Sequence, residues 1–232
     1  RIHALNSALP CTVHAATQHG QCKPGNPSAT LARMPTASLQ SPARLWLLPH
    51  PRGQRGEPGV RPLLCEALGC DDASLPLSRS TQGRPLLGPP YQHYDTGWSH
   101  SGDALLLALG EAVQLGVDIE ALKPRPRARE LAQRFFHPDE TAWLHSLDDD
   151  TLQLSFIRLW CAKEAVLKAH GKGLSFGLEK LVFADDQSAL RLVSCDEALG
   201  QPWQWSLQEW TPLPGYRAAL AWRSAQAQDG LG

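Results

Sequence analysis

Several features that would assign this sequence of 232 residues to a functional class are missing. Its 22 Lys and Arg nearly balance its 23 Asp and Glu, so there is no global basic field for binding nucleic acid. No run of eighteen apolar residues occurs, and the sequence therefore predicts no membrane-spanning helix. No basic segment leads into an apolar one near Arg1, so we expect no secretory signal.

The cysteines lack the spacing of a metal or disulfide framework. None of the six forms a C-x2-C pair with another: Cys11, Cys22, Cys65, Cys70, Cys161 and Cys195. Neither a zinc site nor a dense set of disulfides is predicted from this spacing. We expect a reduced, cytoplasmic protein.

Hydrophobic residues make up 42% of the chain, which is enough for a packed core. Residues 1–42 differ from the rest, because they carry five prolines among Ser, Thr, Ala, Gln and His without any periodicity. Such a composition buries little apolar surface, and we predict that this segment is a flexible extension. An ordered strap along the domain is the alternative.

The rest of the chain alternates between strand-like and helix-like patterns. Strand-like runs cover residues 43–48, 75–80, 104–109, 112–120 and parts of 174–222. Helix-like patterns cover residues 61–68, 128–136, 138–147 and 151–170. A tight turn joins residues 104–109 to residues 112–120, so we predict that these two runs pair as an antiparallel hairpin. Strands, then helices, then strands predict a mixed α/β (α+β) fold.

Two carboxylates alternate with apolar residues between positions 117 and 120. On a strand, Val117 and Ile119 would face the core, while Asp118 and Glu120 would share the opposite face with their Cα atoms about 7 Å apart. Carboxylates at that distance are able to bind one hard cation. The alternative is a solvated strand end that leads into the basic loop after it.

Charged residues recur at helical spacing within the predicted helix 151–170. Trp160, Glu164 and Lys168 follow one another at intervals of four and lie along one stripe, and Lys163 is beside Glu164. The alternative is a surface ion pair between Glu164 and Lys168, which is worth only about 0.3–0.5 kcal/mol. The second lysine and the aromatic residue around Glu164 favour a site over that alternative.

A turn is predicted at residues 98–102, which read Trp-Ser-His-Ser-Gly. Hydroxyls, an imidazole and backbone N–H groups in a turn are suited to holding a phosphate. The alternative is an ordinary loop histidine. A serine hydrolase is not indicated, because the segment does not have the G-x-S-x-G pattern of a nucleophile elbow.

Taken together, these segments resemble the Sfp-type 4′-phosphopantetheinyl transferases over about residues 43–222. The resemblance rests, in this order, on Gly83-Arg84-Pro85, Trp98-Ser99-His100-Ser101, Gly116-Val117-Asp118-Ile119-Glu120, Arg134-Phe135-Phe136 with Glu140, Trp160-Cys161-Ala162-Lys163-Glu164-Ala165-Val166-Leu167-Lys168 and Gly171-Lys172-Gly173-Leu174. The family usually has Lys where this chain has Arg84. The charge is kept, but a guanidinium presents a fork and not a point charge.

The resemblance implies an enzyme that moves the phosphopantetheine arm of coenzyme A onto a serine of an acyl or peptidyl carrier protein and releases adenosine 3′,5′-bisphosphate. It implies that Mg²⁺, or Mn²⁺ in its place, binds to Asp118, Glu120 and Glu164. Glu164 would take the serine proton, directly or through a water. Lys168 would neutralise charge on the transferring phosphoryl group.

Binding of coenzyme A is implied for a mostly basic set of residues. This set comprises Arg84, Ser99, His100, Lys163 and Lys168, with Arg52, Arg55 and Arg61 as candidates for the 3′-phosphate. The implied fold is a pseudo-twofold pair of similar α/β halves, with coenzyme A in the cleft between them. The halves would be residues 43–105 and 106–223, the second carrying the metal site, with residues 224–232 as a tail. A monomer is expected, and an acidic carrier protein would dock beside the cleft on the second half.

Two other functions stay open. A non-catalytic relative that only binds coenzyme A or a carrier protein would be expected to lack one of the carboxylates, and all three are present. An Mg²⁺-dependent phosphohydrolase would use the same carboxylates, but it would release adenosine bisphosphate from coenzyme A without any carrier protein.

Overall fold

The computed structural model of the chain describes residues 32–33, 41–186 and 189–225. Most of the predicted extension 1–42 and of the predicted tail 224–232 lies outside these described residues. Within the extension, Ala32–Arg33 forms a strand in which Ala32 is opposite Leu47 and Arg33 is opposite Trp46. The prediction of a flexible extension over residues 1–42, and its alternative of an ordered strap, otherwise concern residues outside the described ranges.

The elements follow the predicted order of strands, helices and strands. The strands are β1 (Ala32–Arg33), β2 (Ala43–Pro49), β3 (Leu77–Arg79), β4 (Pro85–Leu87), β5 (Tyr94–Ser101), β6 (Ala104–Glu111), β7 (Val113–Ala121), β8 (Leu181–Asp185), β9 (Leu190–Cys195), β10 (Ser206–Trp210) and β11 (Tyr216–Ser224). The helices are α1 (Glu57–Leu68), α2 (Ala128–Phe135), α3 (Pro138–His145) and α4 (Asp149–His170). The mixed α/β class is confirmed, and the pseudo-twofold relation of two halves stays a prediction.

A four-stranded antiparallel sheet in the order β1-β2-β6-β5 forms one layer of the molecule. Helix α1 covers one face of this sheet, where Val60 and Leu64 pack in a cluster with Leu105 and Leu107 of β6. The helix begins at Glu57, four residues earlier than predicted. Pro58 fits there because the first helical turn needs no N–H donor.

A three-stranded antiparallel sheet in the order β10-β11-β7 forms the next layer. Val117 and Ile119 of β7 pack against residues of the first sheet such as Leu106. Helix α4 covers the other face, and its apolar residues cluster with Ala219 and Ala221 of β11. The alternation predicted for β7 is therefore confirmed, with its apolar residues between the sheets and its carboxylates on the side of α4.

The predicted hairpin between residues 104–109 and 112–120 is wrong. Strand β6 pairs with β2 and β5, whereas β7 pairs with β11. Residues 104–110 are all buried because β6 lies inside its sheet between α1 and the second sheet. A continuous apolar run reports burial on both faces and does not identify the pairing partner.

The chain passes from one sheet to the other at Ala112, where φ is 55°. The predicted division between residues 105 and 106 therefore falls inside β6, a strand of the first sheet. The hairpin that does form joins β5 to β6 across Gly102 and Asp103, and Gly102 has a φ of 58°.

The three predicted helices after β7 are confirmed with ends shifted by two residues at most. Asp148 caps α4 by accepting a hydrogen bond from the Thr151 N–H at 3.0 Å. Gly171 ends α4 with a left-handed φ of 83°, and Gly69 ends α1 in the same way with a φ of 69°. No helix of the described ranges has the length and apolarity to cross a membrane. The four cysteines among the described residues are free thiols: Cys65, Cys70, Cys161 and Cys195.

Candidate active site

The candidate site lies where β7 contacts α4. At Gly116 a Cβ atom would lie 2.2 Å from the carbonyl oxygen of Ala165 and 2.3 Å from the N of Ala169. Only glycine therefore permits this close approach of strand and helix backbones. The approach brings Asp118, two residues further along the strand, to the face of α4 that carries Glu164 and Lys168.

Lys168, Asp118 and Ser99 form a closed hydrogen-bonded triangle. The Lys168 Nζ lies 2.6 Å from Asp118 Oδ1 and donates to Ser99 Oγ at 3.0 Å, while Ser99 Oγ donates to the same Asp118 oxygen at 2.7 Å. Burial opposes the lysine charge, but the carboxylates of Asp118 and Glu164 outweigh it and raise the pKa of Lys168 above its usual value. An ammonium ion is thus held beside Asp118.

The second oxygen of Asp118 is left without a partner. Asp118 is only 3% exposed, and its Oδ2 is buried with no hydrogen bond to any described residue. A buried carboxylate oxygen without a partner is costly. The position is therefore one where an additional cation or donor would stabilise the site.

Glu120 lies at the outer end of this group. Its Oε2 accepts hydrogen bonds from Ser101 Oγ at 3.0 Å and from the Arg125 guanidinium at 2.8 Å. Burial, followed by repulsion from Asp118, raises the pKa of Glu120 above its usual value, although Arg125 opposes the shift. Arg125 belongs to the basic loop that was predicted to follow these carboxylates, and it pairs with Glu120.

Glu164 is buried on the same face of α4, one turn before Lys168. Burial raises its pKa to about 7, Lys168 opposes this shift, and the charges of Asp118 and Glu120 add to it. Trp160, one turn earlier on the stripe, packs instead in an aromatic cluster with Phe136 and Phe156.

Within the described residues, no three Asp, Glu, His or Cys side chains are arranged to hold a metal ion. The predicted three-carboxylate centre is therefore not preassembled, because Asp118 is bound by Lys168 and Glu120 by Arg125. The donor chemistry nevertheless fits a hard divalent cation. Such a cation would give the unpartnered Asp118 oxygen a partner, and it would favour the charged form of Glu164, whose pKa burial raises to about 7.

A cavity of about 310 Å³ opens beside this group. Its walls include Glu164 and Lys168 of α4, Arg84 from the loop before β4, Arg79 of β3 and Trp98 of β5. The Arg79 guanidinium lies 4.9 Å above the Trp98 ring, which gives this wall a positive and aromatic character. Two of the predicted coenzyme A residues, Arg84 and Lys168, thus face one cavity.

The segment 98–102 is not a phosphate-binding turn. Residues 98–101 belong to β5, paired with β6, so their backbone lies in a ladder and only Gly102 is in the turn. Ser99 points towards Asp118, and exposed His100 stacks on His50 with ring centroids 4.3 Å apart. Partial desolvation of the ring, followed by the charges of His50 and Lys168, lowers the pKa of His100.

Lys163 is not brought to the cavity. Its side chain is 0% exposed, and its Nζ lies 2.6 Å from Glu140 of α3 and donates to the carbonyl of Leu178 at 2.9 Å. The predicted contact with coenzyme A is corrected accordingly. The sequence contained the signal, because Leu159 and Leu167, four residues on either side of Lys163, are both buried.

The arginines predicted for the 3′-phosphate also lie outside the cavity walls. Arg52 pairs with Asp103 at 3.0 Å in the turn after β5, and Arg61 pairs with Asp72 at 2.6 Å. Arg55 and Arg61 line a separate shallow depression. Of the three, Arg52 is nearest in sequence to His50, which stacks on His100. The turn that Arg52 contacts also follows β5, the strand that carries His100.

Asp95 is a buried site neighbour that sequence reasoning missed. It pairs with Arg84 and accepts a hydrogen bond from the Leu115 N–H of β7 at 2.7 Å. The missed signal was the two-residue period of β5, which places Asp95, Ser99 and Ser101 on one face. The turn predicted at residues 98–102 is incompatible with that strand period.

Comparison with known proteins identifies the family. A family model described as the 4′-phosphopantetheinyl transferase superfamily matches residues 114–221, the range that contains β7 and α4. The 4′-phosphopantetheinyl transferase HetI of Nostoc sp. is 31% identical over 193 residues, which cover 82% of this chain and 78% of that protein. The 4′-phosphopantetheinyl transferase psf-1 of Bacillus pumilus is 30% identical over 188 residues, 79% of this chain and 76% of its own.

A putative 4′-phosphopantetheinyl transferase of Synechocystis sp. is 34% identical over 170 residues, which cover 70% of this chain and 68% of that protein. These matches extend well beyond the short motifs at β7 and α4 and span most of each protein. The chain therefore belongs to the 4′-phosphopantetheinyl transferase superfamily.

Proposed function

We propose that this transferase moves 4′-phosphopantetheine from coenzyme A to the serine hydroxyl of an apo acyl or peptidyl carrier protein and releases adenosine 3′,5′-bisphosphate. It would thus act as a holo-[acyl carrier protein] synthase. The observation that carries the proposal is the buried group of Lys168, Asp118 and Glu164 beside a cavity with cationic walls, in a chain of this family.

Lys168 has the geometry of a phosphate-binding cation. Its Nζ is held by Asp118 and Ser99, yet about a third of its side chain (35%) remains exposed, so the ammonium is fixed in direction and still open to a ligand. A fixed cation at the site where charge develops stabilises a phosphoryl-transfer transition state without further reorganisation.

Glu164 is the proposed acceptor of the serine proton. It lies in the cavity wall one helical turn from Lys168. A serine hydroxyl that binds beside the Lys168 ammonium would therefore lie near the Glu164 carboxylate. The proton passes to a Glu164 carboxylate oxygen, directly or through one water.

A divalent cation is the proposed cofactor. The residues that would hold it are Asp118 through its unpartnered Oδ2, together with Glu164 and Glu120. Mg²⁺ or Mn²⁺ bound to these oxygens supplies charge neutralisation at the diphosphate of coenzyme A. Asp118, Glu120 and Glu164 would position the cation through their carboxylate oxygens.

Coenzyme A is proposed to occupy the cavity between the two sheets' edges and α4. Arg84 and Lys168 line it, and Ser99 orients Lys168. His100, with Arg52 close to the same turn, is the candidate for a more distant phosphate, and Arg55 is the least supported of the predicted contacts because it lies in the separate depression. The monomeric state, the cytoplasmic location and docking of the carrier on the second half stay predictions.

A loading assay tests the proposal. The protein is incubated with coenzyme A, Mg²⁺ and each of several apo acyl and peptidyl carrier proteins, and the carriers are weighed by mass spectrometry. We expect one phosphopantetheine added to at least one carrier, and none when Mg²⁺ is chelated. Absence of the adduct on every carrier, or release of adenosine bisphosphate without any carrier, would contradict it.

A further inference from the structure

The guanidinium of Arg84 is bound on two sides by the protein. Its Nε donates to the main-chain carbonyl of Lys168 at 3.1 Å, and its Nη2 pairs with Asp95 and donates to the Leu115 carbonyl at 3.4 Å. The side chains of Arg84 and Asp95 are 16% and 14% exposed, so this is a largely buried ion pair. Nη1 is the guanidinium nitrogen without a hydrogen bond to the described residues.

Asp95 uses both of its oxygens. The oxygen that pairs with Arg84 also accepts the Leu115 N–H at 2.7 Å, and the other accepts the Thr96 N–H at 3.0 Å. One carboxylate therefore ties β5 to the start of β7 and at the same time fixes the direction of the guanidinium. The bond from the Leu115 N–H to Asp95 joins β7 to β5 outside any sheet ladder, because these two strands belong to different sheets.

The bond from Arg84 to Lys168 is made at the end of α4. The last four carbonyls of a helix have no partner within the helix, and an arginine side chain is able to cap one of them. Here the capped carbonyl belongs to the residue whose ammonium holds Asp118. A Cβ at Gly171 would lie 3.1 Å from Arg84 Cδ, so the arginine also packs across the end of the helix.

We infer that Asp95 is a positioning residue for the transfer reaction. By holding Arg84, it fixes the last turn of α4 against β7, places the Lys168 ammonium at Asp118 and leaves Nη1 of Arg84 available to a ligand in the cavity that Arg84 lines. Arg84 thus chiefly links the two sheets to helix α4, and only one of its guanidinium nitrogens is left for the ligand. This inference rests on the proposed function.

The test is a double-mutant cycle on D95N, R84K and the double variant D95N/R84K. Asn keeps the size of Asp95 and one acceptor oxygen, and Lys keeps the charge of Arg84 but carries its donors on a single nitrogen, so it does not reproduce the guanidinium fork that reaches Lys168 and Asp95 from two separate nitrogens. We expect each single variant to lose about 10- to 100-fold in kcat/KM, the effect of a small misplacement of a reacting group. The KM for coenzyme A rises, and the KM for the carrier protein does not change.

Coupling between the two sites is the decisive readout. If Asp95 acts through Arg84, the double variant is no worse than the poorer single variant. D149N provides the matched control, because Asp149 forms an exposed pair with Arg129 at 2.9 Å and should leave all kinetic constants unchanged. Thermal unfolding of each variant separates lost stability from lost positioning, since a smaller folded fraction lowers the apparent kcat and leaves KM unchanged.

Three results would overturn the inference. These are a wild-type kcat/KM in D95N, losses in D95N and R84K that multiply in the double variant, or a loss that a smaller fraction of folded protein fully accounts for. R84K retains the bond from Asp95 to Leu115, so it tests the link between Asp95 and the end of α4 even if D95N unfolds. A wild-type KM for coenzyme A in R84K would refute the inference. Failure of the wild-type protein to load any carrier would refute the proposed function itself, and that result is distinct from all of these.

Discussion

The Lys168 Nζ lies 2.6 Å from Asp118 Oδ1, although the two residues are 50 positions apart in the chain. The contact joins the last turn of α4 to the middle of β7. It exists because Gly116 lets the helix backbone approach the strand, Ser99 bridges the two polar atoms, and Arg84 caps the helix end. Each of these supports is open to a test by substitution.

Gly116→Ala should separate the strand from the helix. The added Cβ would meet backbone atoms of Ala165 and Ala169 that cannot move as a side-chain tip does. We expect a loss of about 1–3 kcal/mol in the free energy of unfolding, as is usual for overpacking. Transfer activity should fall by more than the loss of folded protein explains, because Asp118 moves away from Lys168.

Gly59→Ala is the matched control for that substitution. Nothing lies within 4 Å of a Cβ at Gly59, which is in α1. Alanine there should be neutral or stabilise the protein by up to about 1 kcal/mol. Urea unfolding and the loading rate are measured for both variants, and equal behaviour of the two would show that the close approach at Gly116 is unimportant.

Glu164→Gln and Asp118→Asn should remove transfer while the fold survives. Amides keep the volume of the carboxylates but supply neither a base nor an anionic ligand. We expect a loss of at least about 100-fold in kcat, the usual effect of removing a general base. The exposed Glu66→Gln on α1 serves as control, and circular dichroism confirms folding. Near-full activity of either variant with Mg²⁺ would make the assignment of the carboxylates wrong.

Lys163→Met should affect stability and not the binding of coenzyme A. Removing the buried ammonium leaves Glu140 charged and only 2% exposed, which should cost about 3–5 kcal/mol. The double variant E140Q/K163M should recover part of that loss. Among the folded molecules, the KM for coenzyme A should equal that of the wild type, and a raised KM at unchanged stability would restore Lys163 to the site.

The stability of the protein should depend on His170 in weak acid. Burial, followed by the charge of Arg223, lowers the pKa of His170 below its ordinary value of 6.5. The unfolded chain then binds this proton more readily than the folded one, so the free energy of unfolding falls as the pH drops below 6.5 and is unaffected above it.

His170→Gln should remove that contribution. Measured by urea unfolding, the difference between wild type and variant should be constant above neutral pH and shift against the wild type on acidification. His145→Gln, at an exposed position near the end of α3, is the control. A difference that does not vary with pH would contradict the lowered pKa.

Local patterns in the sequence were enough for the four helices, for several of the strands and for the orientation of most residues on β7 and α4. Alternation along 117–120 placed Asp118 and Glu120 on one face of β7, and the spacing of four placed Glu164 above Lys168 on α4. Left-handed glycines at positions 69 and 171 ended two helices where they were predicted. Periodicity and capping depend on neighbours a few residues away, and a sequence displays these directly.

The errors have two causes. The turn predicted at residues 98–102 conflicts with a local signal, the two-residue period of residues 95–101. The predicted hairpin of β6 with β7 and the predicted ligand contact of Lys163 fail because the actual partners are distant in the chain. Lys163 meets Glu140 across a helix pair, and β6 meets β2, more than fifty residues earlier. Local periodicity contains no information about such partners.

The sequence by itself thus determined which side chains share a face of one strand or one helix, because the backbone geometry of each element repeats at a fixed interval. The tertiary structure alone decided that β7 leaves the first sheet, that Lys163 pairs with Glu140, and that Asp95 holds Arg84 at the end of α4. Those outcomes depend on how apolar faces pack against one another over long separations, and the free energy of that packing is shared by the whole core.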